Sequence, residues 1–196
     1  MTHLLATPWT FYYFEKSEQP NSDISYDKCI HKIGKVSTIE EFWHYYSHII
    51  RPDKLSQNIS LQFFRNDSRA MWEDPENCNG GSFYCQIPKG QTKFFWERLL
   101  LNLIGEQFPM DVIGVVVTVR QKFDFIYIWH QTTTDDHVKI EICRVLQDVF
   151  ELPLNSKIGY NTFNPKLQEH QQQFIIQHDG PVCRSKPNLL KTVSQK

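Results

Sequence analysis

The sequence lacks the features of several broad classes of protein, and each absence narrows the range of functions. The five cysteines are odd in number and widely spaced, and none form a Cys-x-x-Cys motif. This pattern indicates reduced thiols rather than a disulfide framework. The formal net charge is −1 at pH 7, which argues against the strongly basic face that grips long stretches of nucleic-acid backbone. A protein that holds one nucleotide remains compatible with this charge.

Long apolar segments are missing as well. The longest apolar runs fall far short of the roughly 20 residues that a membrane-spanning helix requires. The opening residues do not resemble a signal peptide, because an aromatic strand candidate follows at once. We therefore expect a soluble, cytoplasmic protein without a membrane partner. The length of 196 residues suits one domain with a substantial core.

Motifs for catalysis are missing too. The chain has no Gly-x-Ser-x-Gly sequence, no glycine-rich phosphate loop and no cysteine in a catalytic context. His44 and His48 stand four residues apart, a spacing that presents two imidazoles to zinc on a helix. A glutamate after His44 and a nearby third ligand are absent, so two partly exposed helix histidines are the preferred interpretation. We predict no metal, no cofactor and no enzymatic activity.

What the sequence does have is aromatic residues, at 14% with five tryptophans, and an alternation of two kinds of segment. Short runs rich in β-branched and aromatic residues predict strands at residues 9–14, 59–64, 82–87, 112–119 and 123–129, with weaker candidates at 29–36 and 157–160. The strands on either side of Gln121 and Lys122 are predicted to form a hairpin. Five indoles exceed what one core usually needs, so some are expected on a binding surface.

Three segments have helical periodicity. Residues 37–40, Ser-Thr-Ile-Glu, form a capping-box sequence that begins a helix ending before Pro52. Thr92 is predicted to cap a second helix that stops at Gly105, and Asp135 or Asp136 to cap a third. Because the strands and helices are interspersed without regular βαβ units, we predict an α+β domain over residues 1–163, with an antiparallel sheet and helices on one face. Residues 164–196 are predicted to form a short helix followed by a mobile polar tail.

The segment Met71-Trp72-Glu73-Asp74 is unusual, because a tryptophan beside acidic residues is poor core material. It suits guanine, whose N1–H and N2 amine are two donors that a single carboxylate such as Glu73 can accept. The ring of Trp72 can stack on the base, which contributes about 1–3 kcal/mol, and a base made cationic by N7 methylation gains further attraction to the ring. The alternative is a loop anchor without a ligand.

Arg120 and Lys122 follow the most apolar predicted strand. Strand alternation places both side chains on one face, where two cations could hold a phosphate chain. Taken alone, the pair is better explained as ordinary solvated charges of a hairpin.

Several motifs, in the same order and spacing, resemble the translation initiation factor 4E family over about His3 to Tyr160. They are Glu41-Phe42-Trp43, Met71-Trp72-Glu73-Asp74, Gly80-Gly81, Leu103-Ile104-Gly105-Glu106, Gly114-Val115-Val116-Val117 before Arg120, and Ile128-Trp129. Within the family, Tyr45-Tyr46-Ser47-His48 with Arg51-Pro52, Gly105-Glu106-Gln107-Phe108, and Tyr26 in place of a stacking tryptophan resemble the branch called 4E homologous protein.

The resemblance implies a curved antiparallel sheet with three helices on its convex face and a slot for the 7-methylguanosine cap on its concave face. In that slot Tyr26 and Trp72 would sandwich the methylated base, Glu73 would accept its two donors, and Trp129 would lie against the methyl group. The function implied is binding of 5′-capped messenger RNA by a monomer.

The resemblance also implies residues outside the base pocket. Arg120 and Lys122 would face the cap phosphates. A second surface, on the convex side, would hold a Leu-containing helix of 4E-binding proteins or of the initiation scaffold. Four residues are expected to form that partner surface: His3, Ile39, Trp43 and Leu101.

Five positions depart from the main initiation factor. Tyr26 replaces a tryptophan, and Ser82 and Phe125 replace an arginine and a lysine near the phosphates. On the convex side Leu4 replaces a proline, and Arg98 replaces a glutamate that helps to hold the scaffold. These departures favour a weaker cap binder that acts as a repressor or selective factor. The alternatives are an active initiation factor, an enzyme acting on the cap, and an interaction domain that no longer binds the cap.

Overall fold

A computed structural model describes residues 2–15, 25–57, 59–164 and 170–187. Its strands, in chain order, are β1 (Leu4–Glu15), β2 (Ile30–Thr38), β3 (Ile59–Arg65), β4 (Gly81–Pro88), β5 (Val112–Thr118), β6 (Phe123–His130), β7 (Lys157–Thr162), β8 (His170–Ile175) and β9 (Val182–Pro187). The helices are α1 (Ile39–His48), α2 (Thr92–Ile104) and α3 (Asp136–Val149), with short 3₁₀ turns at Tyr26–Cys29 and Pro52–Lys54.

The strands of the described residues form one sheet, in the order β2-β1-β3-β5-β6-β4-β7-β8-β9. Every neighbouring pair is antiparallel. The predicted hairpin between β5 and β6 is present, with Thr118 opposite Phe125. The seven strands predicted from the sequence are all confirmed, with ends that differ by a few residues. The predicted fold, a curved antiparallel sheet with three helices on the convex face, is confirmed.

Alternation along each strand separates two faces of the sheet. In β3, Leu61 and Phe63 belong to the large core, which also contains the apolar side chains of all three helices. Gln62, between them, faces the other way. In β6, Ile126 and Ile128 join the same core, whereas Trp129 belongs to a smaller cluster without helix residues. The helices therefore cover the convex face, and the concave face is left for a ligand.

The helix boundaries correct two of the predicted N-caps. Thr38, rather than Ser37, is the N-cap of α1, and its hydroxyl accepts a hydrogen bond from the Glu41 amide at 3.1 Å. The Glu41 carboxylate accepts a hydrogen bond from the Ser37 amide at 2.7 Å, so the capping motif is present but shifted by one residue. Thr92 is not a cap, because its hydroxyl donates to Asp124. The predictions for Asp135 and Gly105 are confirmed.

The predicted short helix after residue 163 is wrong for residues 170–187, which form β8 and β9 instead. A glutamine-rich sequence is compatible with a helix, but packing against the sheet favours a strand here. Phe174 of β8 pairs with Ile158 of β7 and is 1% exposed. The sheet thus continues past the predicted domain boundary. The other residues of the predicted tail, 165–169 and 188–196, lie outside the described part of the chain. None of the helices within the described residues is long and apolar enough to cross a membrane.

Candidate nucleotide-binding site

A cavity of about 310 Å³ opens on the concave face of the sheet. Residues from several strands and their connecting segments line it, and the six largest lining side chains are those of Phe14, Tyr26, Gln62, Arg120, Tyr127 and Trp129. Three of the six residues predicted to bind the cap, Tyr26, Arg120 and Trp129, therefore line a common space. Trp72, Glu73 and Lys122 are not part of its lining.

The wall formed by Trp129 is apolar and firmly packed. The indole lies 4.4 Å from the ring of Phe163 and 5.7 Å from that of Phe64, between ring centroids. Trp129 is 9% exposed and lines the cavity. A rigid, mostly buried indole presents a fixed apolar surface to a ligand, as expected for a residue that touches a methyl group.

Tyr26 projects from the 3₁₀ turn that precedes β2. Its ring stacks on Phe14, with 4.8 Å between centroids and 29° between planes, and the residue is 45% exposed. Desolvation, and secondly the negative charge of Glu73, raise the pKa of Tyr26 above its ordinary value. The Glu73 carboxylate therefore lies close enough to act electrostatically on the phenol.

Trp72 and Glu73 lie in the loop between β3 and β4, and both are exposed. Trp72 is 50% exposed, and no aromatic ring among the described residues packs against it. The same loop reaches the cavity through Ala70. Hence the structure places the Trp72-Glu73 pair beside the cavity but does not close a sandwich with Tyr26.

The conformation of this loop depends on Asn77, which the sequence analysis missed. Asn77 is buried, and its side-chain amide donates to the carbonyls of Arg69 and Met71, at 3.2 and 2.7 Å. These two bonds hold the chain on either side of Ala70, immediately before Trp72. An asparagine in a polar turn before two glycines was the available signal, since Asn side chains often bond to local backbone.

Arg120 and Lys122 lie in the turn of the β5–β6 hairpin rather than on a strand, so strand alternation does not pair them. Arg120 is exposed and lines the cavity, and Lys122 is exposed beyond it. Within the described part of the chain, neither side chain has a carboxylate partner. Both cations are therefore free to meet an anionic ligand.

The hairpin turn is fixed by Asp124, a second residue that the sequence analysis missed. This carboxylate is 2% exposed, accepts hydrogen bonds from Lys89 and Thr92, and also accepts the backbone N–H of Arg120 at 3.3 Å. Asp124 occupies a core-facing position, two residues before Ile126. An acid in the apolar register of a strand was the signal, because such a group is buried only with partners.

Two departures from the main factor lie at this site. Ser82 is buried and lines the cavity without adding charge. The ring of Phe125 stacks with that of Tyr127 at 6.2 Å and 28°. Among the lining residues described, Arg120 alone carries a positive charge.

The structure brings together some of the residues of the predicted partner surface. Trp43 and Ile39 are four residues apart on α1 and both are exposed, Trp43 to 43%. The carbonyl of His3 accepts the Ile39 amide at 2.9 Å, and its ring contacts Glu40. Leu101 is exposed on α2, so its role beside Trp43 stays a prediction.

The two histidines of α1 contact each other and the helix backbone. Their ring centroids are 5.4 Å apart, and Nδ1 of His48 lies 2.7 Å from the carbonyl of His44. Over residues 2–15, 25–57, 59–164 and 170–187, no group of three or more His, Cys, Asp or Glu side chains is arranged to hold a metal ion.

Comparison with known proteins identifies relatives over most of the chain. The family model described as eukaryotic initiation factor 4E matches residues 4–177. Initiation factor 4E-4 of Caenorhabditis elegans, from the branch that the sequence predicts, is 30% identical over 169 residues, which are 85% of this chain and 80% of the relative.

Two solved structures have the same fold. C. elegans initiation factor 4E-3, in complex with the 4E-binding protein Mextli and a cap analogue, is 27% identical with a TM-score of 0.76, covering 83% of this chain and 93% of that one. A schistosome initiation factor 4E, in complex with m7GpppG and 4E-BP, is 27% identical with a TM-score of 0.75, covering 82% of this chain and 88% of that one.

Proposed function

Because this chain belongs to the eukaryotic initiation factor 4E family, we propose that it binds the 7-methylguanosine cap of messenger RNA on the concave face of its sheet. We further propose that it regulates translation as a monomeric, cytoplasmic repressor or selective factor with a weaker hold on the cap than the main factor has. It acts by binding, not as an enzyme.

One observation carries the proposal: an aromatic ring and a free cation line the same cavity, and the loop that holds Glu73 reaches that cavity through Ala70. Tyr26 and Arg120 line it, and the charge of Glu73 is felt at Tyr26. A capped nucleotide has the complementary sequence of groups, namely a cationic base with two donors, a ribose and an anionic phosphate chain. An acid close to Tyr26 and a cation in the cavity lining therefore support binding of such a nucleotide.

The base end supplies selectivity for the methylated cap. N7 methylation makes guanine cationic, and a cation over an aromatic face gains about 0.5–2 kcal/mol. Tyr26 and the exposed ring of Trp72 are the candidate faces, although ligand binding must bring Trp72 against the base. Glu73 has no hydrogen-bond or ion-pair partner among the residues described, so its carboxylate is free to accept N1–H and the N2 amine.

The phosphate end supplies less attraction than the family's main factor would. Ser82 and Phe125 add no charge, which leaves Arg120 at the cavity and Lys122 beyond it. Tyrosine also offers a smaller π-surface than tryptophan at the first stacking position. These three differences together support weaker cap binding.

The convex surface supports a partner with a Leu-containing helix. Trp43 and Ile39 offer an exposed apolar patch, and two relatives were solved in complex with the 4E-binding proteins Mextli and 4E-BP. Arg98 forms an ion pair with Glu151 and presents the charge opposite to that of the glutamate in the main factor. Like charges brought together at an interface cost several kcal/mol, so a scaffold that pairs a cation with that glutamate is disfavoured here, which supports a repressor.

A fluorescence titration tests the central proposal. Tryptophan emission should be quenched by 7-methylguanosine triphosphate, and GTP should bind roughly 2- to 30-fold more weakly because its base is uncharged. Equal affinity for the two nucleotides would overturn the proposal. The same protein incubated with labelled cap and magnesium should release no nucleotide product, whereas turnover would show an enzyme.

An active initiation factor is the second candidate, favoured by the exposed Trp43. A pull-down with the initiation scaffold separates the two: strong, Trp43-dependent binding would show an initiator, and binding only to 4E-binding proteins would show a repressor.

A further inference from the structure

Gln62 is a buried polar residue whose place in the proposed site is unexplained by the base or phosphate contacts. It lies at the centre of β3, opposite Tyr12 of β1 and Val116 of β5. Its neighbours Leu61 and Phe63 face the convex core, so the Gln62 side chain faces the concave side, where it lines the cavity. The residue is 1% exposed.

The amide oxygen of Gln62 has no hydrogen-bond partner among the described residues. A buried acceptor without a partner lowers the stability of the folded state, and most buried polar side-chain atoms in proteins are paired. The two hydroxyls that flank it on the cavity floor, Ser60 and Thr118, bond to each other at 3.1 Å. Gln62 therefore keeps an unpaired acceptor in the lining of the cavity.

The chemistry of a capped nucleotide limits what can meet this oxygen. Phosphate oxygens are acceptors only, and they repel a second acceptor. The base donors lie at the Glu73 end. The ribose connects base and phosphates, and its hydroxyls are the remaining donors. Gln62, Tyr26 and Arg120 line the same cavity. The strand of Gln62, β3, lies between β1, whose Phe14 ring stacks on Tyr26, and β5, which Arg120 follows. The ribose of a nucleotide that reaches from Tyr26 to Arg120 therefore passes over Gln62.

We infer that Gln62 accepts a hydrogen bond from a ribose hydroxyl of the cap nucleotide and makes the site selective for ribose over deoxyribose. This inference rests on the proposed cap binding and adds a specificity-determining residue to it. A neutral acceptor suits this role, because a carboxylate at the same place would repel the neighbouring phosphates.

The test compares 7-methylguanosine triphosphate with its 2′,3′-dideoxy analogue by fluorescence titration. Wild-type protein should prefer the ribose form by roughly 3- to 10-fold, the range expected for one hydrogen bond. Gln62→Met keeps the length of the side chain and removes the acceptor. It should lower affinity for the ribose form to that for the dideoxy form, whose binding is unchanged.

Thr118→Val is the matched control, because it removes a hydroxyl from the same floor and leaves Gln62 intact. It should keep the preference for ribose. A wild-type protein that binds both analogues equally, or a Gln62→Met protein that keeps the preference, would overturn the inference and leave cap binding standing. Loss of binding to both analogues by the wild type would instead refute the proposed function. The comparison of the two analogues on wild-type protein needs no variant, so it tests the inference even if Gln62→Met folds poorly.

Discussion

Replacing Glu73 with alanine should separate recognition of guanine from the stability of the fold. The side chain is exposed and has no hydrogen-bond or ion-pair partner in the described part of the chain. Its removal should therefore change the free energy of unfolding by no more than about 0.5 kcal/mol, as for other surface substitutions. Any large change in nucleotide binding can then be assigned to the lost carboxylate.

The magnitude follows from the two hydrogen bonds that the carboxylate would accept. A hydrogen bond to a charged group contributes about 1.5–3 kcal/mol, and the exposed position of Glu73 favours the lower value. Two such bonds amount to about 3 kcal/mol, so Glu73→Ala should weaken binding of 7-methylguanosine triphosphate roughly 100-fold. Glu73→Gln should lose affinity as well, because its amide opposes one of the two base donors.

A change in the ligand tests the same bonds independently. 7-Methylinosine triphosphate lacks the N2 amine, so wild-type protein should bind it about tenfold more weakly than the guanosine analogue. Glu73→Ala should bind the two analogues equally. Glu76→Ala, which removes another exposed acid of the same loop, serves as the matched control and should bind as the wild type does. If Glu73→Ala kept affinity within threefold of wild type, the carboxylate would not be the acceptor.

Four further substitutions have defined outcomes. Tyr26→Trp should tighten cap binding by up to about tenfold through a larger π-face, and unchanged affinity in the titration would argue against stacking. Phe125→Lys should raise affinity at low salt, with a gain that fades at high salt as charges are screened; a salt-independent gain would contradict the phosphate contact. Trp43→Ala should weaken binding of a Leu-containing helical peptide by roughly 30-fold or more and leave cap affinity unchanged; loss of both would indicate unfolding. Asp111→Asn should reduce the dependence of the melting temperature on acid pH, and an unchanged profile would show that this carboxyl does not set the acid sensitivity.

The acid sensitivity of Asp111 arises from its surroundings. Burial alone would raise its pKa, but hydrogen bonds from His130, at 2.9 Å, and from Thr132 hold the pKa below the ordinary value. A carboxyl whose pKa is depressed by folding stabilises the folded state above its unfolded pKa, and that stability is lost as pH falls through the folded pKa. The wild-type protein should therefore lose stability below about pH 4, and the asparagine variant should lose less.

Local patterns were sufficient to predict most of the fold. Alternation and β-branched composition identified β1 to β7 because these strands bury one face or both, which leaves a period of two in the sequence. The C-terminal strands were missed for a physical reason. In β8 only Phe174 and Ile175 are strongly apolar, so the strand is fixed by pairing with β7, a long-range contact that local propensity does not encode.

Site residues could be predicted from the sequence where an unusual combination of residue types marks them. They were harder to predict where their role depends on how the folded chain arranges them. A tryptophan beside acids in a loop marked Trp72 and Glu73, and the resemblance to a family supplied Tyr26, whose sequence context is ordinary. The pairing of Arg120 with Lys122 by alternation was wrong in its geometry, because the strand ends at Thr118. Whether two turn residues lie side by side depends on the turn, and here Asp124 sets it by holding the amide of Arg120.

The position of Gln62 links the two ends of the proposed site. The cavity that it shares with Tyr26 and Arg120 has no carboxylate in its described lining, so a phosphate chain entering it meets no repulsion. It also has only one cation among those lining residues, so little long-range attraction draws the nucleotide in. Affinity must then come mainly from stacking and from hydrogen bonds, which are short-ranged and insensitive to salt. Cap binding by this protein should therefore depend less on ionic strength than binding by relatives whose phosphate channel holds more cations.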